Sequence, residues 1–171
     1  MSENTKKIVL ADTNVLLEAH RTGCLKALCA QHSIVTVSKC IEETQTGFHL
    51  RPPEGTISRD FLLSSLFEIA EVSKVELATL ELRLPGGPYL DDGEKHLLAH
   101  ALTRSDSYLL CGPDRAMIRA AAKLNLIERL VSLGQLANEA NVGNRQIKLL
   151  SENFGKRWLE DERAKAVFGI L

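Results

Sequence analysis

Short apolar runs recur along this chain, each followed by a stretch with helical spacing, and that alternation restricts the fold more than any other feature. KIVLA (7–11), SIVTV (33–37) and SYLLC (107–111) have the apolar and β-branched character of buried strands, and FEIAEV (67–72) and RLVSL (129–133) are weaker candidates. Between them lie helical segments at about 13–19, LKALCAQ (25–31), KCIEETQ (39–45), SRDFLLSSL (58–66), KVELATLELR (74–83), DDGEKHLLAHALTR (91–104), RAMIRAAAKL (115–124) and GQLANEA (134–140). Ser38 is the expected N-cap of KCIEETQ and Gly47 its stop. HLRPPEGT (49–56) and PGGPY (85–89), rich in proline and glycine, read as loops. Strands that alternate with helices favour a mainly parallel sheet covered on both faces, a three-layer α/β/α arrangement. Residues 143–171 read as a C-terminal helical extension packed on a domain of residues 1–142, with Ile147, Leu150, Phe154, Trp158 and Leu159 as its apolar side.

The 171 residues, 44% of them hydrophobic, suffice for one core. Lys and Arg number 21 against 22 Asp and Glu, a net charge of -1, so any nucleic-acid site must be local rather than a global basic field. The cysteines Cys24, Cys29, Cys40 and Cys111 show no CxxC pairing and sit in or beside apolar runs, as reduced core thiols do. MSENTKK is polar with no apolar segment behind it, and no run approaches the roughly 18 apolar residues that span a bilayer. A cytoplasmic protein without membrane association is the expectation.

In parallel α/β sheets the binding crevice lies outside the carboxyl ends of the strands. Acids stand at those positions: Asp12 after the first strand, Glu42 and Glu43 in the helix after the second, Asp91, Asp92 and Glu94 at the start of a helix, and Asp114 after SYLLC. Each has a structural role open to it. Asp12 and Asp114 suit helix N-caps, Glu94 complements a helix dipole, and glutamates on helices are most often solvated. If the acids converge instead, their mutual repulsion calls for a cation, and Mg²⁺ or Mn²⁺ matches an all-oxygen donor set.

The segments ADTNVLL (11–17), VSKCIEET (37–44), LDDGEKHLLAHAL (90–102) and LLCGPDRAMIRAA (109–121), followed by LVSLGQL (130–136), resemble the PIN-domain family of metal-dependent nucleases, over roughly residues 7–140. The resemblance implies that Asp12, Glu43, Glu94 and Asp114 are the catalytic acids, with Asp12, Glu94 and Asp114 as ligands of Mg²⁺ or Mn²⁺. Glu42 is the alternative to Glu43, and Asp92 the alternative to Glu94. Thr13 and Asn14 would support the site, holding a water or the first carboxylate. It further implies an endoribonuclease that hydrolyses RNA with metal-activated water, as the toxin of a toxin–antitoxin pair, with an antitoxin protein as partner and a homodimer as the unit. Lys39, Lys95, Arg115 and Arg119, with Arg51, are the basic residues nearest the motifs and the candidates to contact RNA phosphates. The chain departs from the family pattern in having Gly112 where many relatives place Ser or Thr, and in its tail from Gly143 to Leu171.

Two other readings compete. An aspartate-nucleophile phosphohydrolase also begins with an Asp after a strand, but it needs a second Asp two residues on. That position is Asn14, which cannot act as a general acid. A catalytically silent PIN-like binding module is the non-enzymatic alternative. His96 and His100 have the i, i+4 spacing of paired metal ligands without the accompanying residues of a zinc motif.

Overall fold

A computed structural model describes residues 6–47, 51–86 and 89–171. Strand β1 (Ile8–Ala11) leads through Asp12 into α1 (Thr13–Arg21), and α2 (Leu25–Gln31) returns the chain to β2 (Ser33–Val37). Helix α3 (Ser38–Thr44) follows β2 with no loop between them. A 3₁₀ turn at Pro53–Gly55, α4 (Arg59–Ser65) and β3 (Glu68–Ala70) come next, then α5 (Lys74–Arg83), α6 (Asp92–Thr103), β4 (Tyr108–Cys111) and α7 (Arg115–Lys123). The chain ends through a 3₁₀ turn at Ile127–Arg129, α8 (Leu133–Glu139), α9 (Asn144–Ile147), a 3₁₀ turn at Glu152–Phe154 and α10 (Lys156–Val167).

Among the described residues the sheet has four strands, all parallel, in the order β3-β2-β1-β4. Val9 of β1 pairs with Ile34 on one side and Leu109 on the other. The chain therefore steps outward from β1 to β3 and then crosses back to lay β4 against the free side of β1. This reversal is a topological switch point, and the crevice it creates opens between the carboxyl ends of β1 and β4.

The pleat divides the strand residues between two apolar cores. Val9, Ala11 and Ile34 pack with Leu16, Leu28, Leu62 and Leu136, from α1, α2, α4 and α8. Leu10, Val35 and Leu110 pack with Leu80, Leu97 and Ile118, from α5, α6 and α7. Burial on both faces explains why β1, β2 and β4 are continuous apolar runs, and gives the three-layer α/β/α architecture. The tail packs on both cores: Phe154, with Leu150 beside it, joins the first, and Leu159, with Trp158, the second.

Two expectations are corrected. Ser38 is not an N-cap: Val37, still in extended geometry, takes that position, and the Ser38 hydroxyl donates to Glu71 instead. RLVSL does not form a strand. Its contribution to the sheet is a single parallel bridge, Leu130 to Leu110, because Arg129 ends a 3₁₀ turn and Ser132 opens α8 through a capping box with Gln135. His49 and Leu50 of the HLRPPEGT loop, Gly87 and Pro88 of PGGPY, and the first five residues of MSENTKK lie outside the described residues. No helix among the described residues is long and apolar enough to cross a membrane.

Candidate functional site

Asp12 stands where β1 ends. Its backbone amide donates to the Cys111 carbonyl at 3.1 Å, extending the β1–β4 ladder by one bond. Its Oδ2 caps α1 by accepting from Asn14 N at 3.4 Å, so the helix-capping role is real. It does not account for Oδ1. The residue is 1% exposed, and Oδ1 is buried with no hydrogen-bond partner. Burial pushes the Asp12 carboxyl up to about 7, and the charges of Asp91 and Glu43 push the same way, against the amides of Thr13 and Asn14. The thiols around it are inert: burial pushes Cys40 up to about 12, and Cys111 also upward, with Asp12 adding to both.

Helix α3 brings Glu43, not Glu42, to this carboxylate. Cys40, Ile41 and Thr44 are buried, and that phase turns Glu43 inward and Glu42 to solvent, where Lys39 Nζ meets it at 3.3 Å. Glu43 is held by two donors from different elements. Thr13 Oγ1 donates to Oε2 at 2.7 Å, and the Gly93 amide in the first turn of α6 donates to Oε1 at 2.9 Å. The Thr13 hydroxyl thus supports the second acid, while its amide acts on the first.

The start of α6 is a reciprocal capping box. Glu94 N donates to Asp91 Oδ1 at 2.8 Å, and Asp91 N donates to Glu94 Oε2 at 3.0 Å. Glu94 is 3% exposed. Its burial pushes its carboxyl up to about 8, and the charges of Asp91, Asp114 and Asp12 add to the shift, opposed by the Asp91 amide. Asp92 points away, its side chain 66% exposed and 4.0 Å from Lys39. The acid beside Glu94 that acts on the cluster is Asp91, which the resemblance does not include among the metal ligands. The spacing Asp91-x-x-Glu94 is itself a capping-box signature and turns Asp91 back toward the helix N-terminus. Asp114 caps α7, accepting from Ala116 N at 2.6 Å, and is exposed at the mouth of the crevice.

The basic candidates are distributed differently. Lys39 is engaged by Glu42 and Asp92, and Arg115 is bound to Glu162 at 2.9 Å with its guanidinium 6.0 Å from the Trp158 ring. Arg119 lies over Tyr89 at 5.8 Å, and Lys95 lines a separate cleft with Leu80 and Glu81. Arg51 binds the C-terminal end of the acid-bearing helix, donating to the carbonyls of Thr44 at 2.8 Å and Glu43 at 3.2 Å. His100 lies elsewhere, in a network with Glu76 at 3.4 Å and Arg104 at 3.0 Å.

Among the described residues no group of three or more His, Cys, Asp or Glu side chains is gathered tightly enough to hold a metal ion. The donor set nevertheless suits Mg²⁺ or Mn²⁺: hard carboxylate oxygens, an orphaned buried Oδ1 on Asp12, and charges that raise one another's affinity for protons. Mg²⁺ commonly uses one or two carboxylates and completes its shell with water and substrate phosphate, so a closed protein cage is not required. No family model, no curated protein and no solved structure matches this chain.

Proposed function

We propose that this protein is a metal-dependent endoribonuclease of PIN type. The observation that carries the reading is the buried, unpartnered Oδ1 of Asp12, set at the switch point of a parallel sheet among the charges of Asp91, Glu43 and, through Glu94, Asp114. A carboxylate oxygen left without a donor in such a place costs about 1–3 kcal/mol or more, and a bound cation offsets that cost. Asp12, Glu94 and Asp114, with Glu43 beside them, would hold Mg²⁺ or Mn²⁺. When bound, the ion supplies neutralisation of phosphate charge and a water acidified enough to attack phosphorus.

The residues themselves perform the positioning. Thr13 and Gly93 fix the Glu43 carboxylate from two sides, so it keeps one orientation without a cationic partner. The capping box commits one oxygen of Asp91 and one of Glu94, leaving the second oxygen of each for the site. Asp114, on the exposed rim, is the acid a substrate reaches first. Because no cationic side chain pairs with Asp12, Glu43 or Glu94 among the described residues, the cluster is suited to an external cation rather than to an internal salt bridge.

The test compares cleavage of single-stranded RNA by wild type and Asp12→Asn in Mn²⁺ and in EDTA. Cleavage that requires Mn²⁺ and falls at least a hundredfold in Asp12→Asn is expected, while equal cleavage by both proteins would exclude this site. A silent binding module is the second reading, favoured by the lack of a closed three-ligand group among the described residues; RNA binding by wild type with no cleavage in any divalent ion would select it. An antitoxin polypeptide, a homodimeric unit and a cytoplasmic location accompany the toxin form of the proposal.

A further inference from the structure

Asp114, the exposed member of the acid cluster, borders a cavity of about 390 Å³, whose walls come from four parts of the chain. Helix α1 provides Asn14 and Leu17, the segment after α3 provides Arg51, the β4–α7 turn provides Asp114, and the C-terminal tail provides Asn153 and Phe154. The volume lies in the range of small-ligand sites, adequate for one nucleotide and too small for a duplex.

The chemistry of these walls is mixed. Asp114 brings an acid to them. Arg51 donates one Nη1 and one Nη2 hydrogen bond to the backbone carbonyls of Thr44 and Glu43 and makes no ion pair among the described residues, so within them its charge is not cancelled and its other N–H groups are open. The other arginine bordering the space, Arg21, is bound to Glu18 at 2.7 Å and contributes little net charge. Asn14 and Asn153 bring two carboxamides with no side-chain hydrogen bond among the described residues. Leu17 and Phe154 are apolar. One uncancelled guanidinium, two free carboxamides and an apolar wall suit a phosphate, a sugar and a base in that order of polarity.

We propose that this cavity is a nucleotide subsite for the strand cleaved at the acid cluster, with Arg51 on the backbone phosphate and Asn153 on the base edge. The assignment rests on the ribonuclease reading. It gives the tail a direct part in substrate selection. A phosphate contact adds affinity for every sequence, whereas a carboxamide offering both donor and acceptor discriminates between bases.

The experiment measures binding of labelled single-stranded RNA heptamers of mixed sequence in Ca²⁺, and maps cleavage ends in Mn²⁺, for wild type, Asn153→Ala, Asn153→Asp and Arg51→Gln. Asn153→Ala is expected to weaken binding about 3–10-fold, as for the loss of one hydrogen bond, and to relax base preference at one position beside the cut. Asn153→Asp is expected to weaken binding further through repulsion of the backbone. Arg51→Gln is expected to weaken all heptamers about tenfold with preference unchanged, and should its melting temperature fall the Asn153 pair decides. A wild type that cleaves, with Asn153 variants matching it in affinity and preference, overturns the subsite and leaves the ribonuclease reading standing. A wild type that binds without cleaving still tests the subsite through binding, and one that neither binds nor cleaves removes both.

Discussion

Glu43 occupies the space that a side chain on Gly93 would need: a Cβ built there would lie 2.3 Å from Glu43 Oε2. The Gly93 amide holds the same carboxylate at 2.9 Å, so the glycine both admits and binds it. In Gly93→Ala the clash falls on the end of a flexible side chain rather than on backbone, and alanine is the better helix former. The fold should therefore melt within a few degrees of wild type while Glu43 is displaced and cleavage drops at least tenfold. Parallel thermal melts and RNA cleavage rates check this, and a variant that cleaves normally would show that the Glu43 position is immaterial.

Asp12 and Glu94 hold their protons up to about 7 and about 8, against ordinary values of 3.8 and 4.5. A carboxyl raised by folding stabilises the native state fully below its unfolded value, and that contribution is lost as pH rises through the folded value. Metal-free protein should therefore melt at falling temperature from about pH 5 to pH 8. Mn²⁺ should reverse the loss, with a larger upward shift at pH 8 than at pH 6, since the ligands must be deprotonated. In Asp12→Asn the metal-free protein should be more stable at pH 8 and its Mn²⁺ response much reduced. Melting curves across pH with EDTA or Mn²⁺ decide; a metal-free profile flat from pH 5 to 8 counts against the clustered acids.

Much of this arrangement is legible in the residues, with limits that have physical causes. SIVTV coincides with β2 as a short β-branched apolar run, and KVELATLELR with α5 as an unbroken helical run stopped by Pro85 and Gly86. Glu42 and Glu43 are adjacent, and only the burial of Cys40 fixes the phase that selects Glu43. Asp91 and Asp92 form the same kind of pair, decided by the capping box that draws Asp91 back toward Glu94. RLVSL has strand composition, but a 3₁₀ turn and a helix cap claim its ends, and tertiary context overrides a five-residue propensity. The engagement of Arg115 by Glu162 links residues 47 apart, and no local pattern announces it.

Gly112, at the turn between β4 and α7, has a packing reason to remain glycine. A Cβ at this position would lie 2.1 Å from Met117 Sδ, and Met117 is fully buried. Gly112→Ser must push that thioether into a filled core, an overpacking change that costs typically 1–3 kcal/mol. Urea unfolding is expected to show a loss in that range. Gly112→Ser paired with Met117→Ala or Met117→Val should recover part of it, and a stable single variant would mean that the core yields more readily than its packing implies.

Glu162 fastens the tail to the body of the fold. Only 2% exposed, it accepts from Arg115 Nε at 2.9 Å and from Lys165 Nζ at 2.7 Å, and these two cations hold its carboxyl below the usual range. A depressed carboxyl stabilises above its unfolded value, and the contribution is lost as pH falls through the folded one. Glu162→Gln should lower the melting temperature at pH 7 by a few degrees, and the difference from wild type should shrink on acidification. Because Asn153 and Phe154 precede α10 and wall the cavity beside Asp114, loosening this anchor should also weaken RNA heptamer binding at pH 7. Limited proteolysis should find new cuts near Gly155 in the variant. A variant that resists proteolysis as wild type does, yet loses RNA affinity, would place the effect on the charge of Arg115 rather than on the seating of the tail.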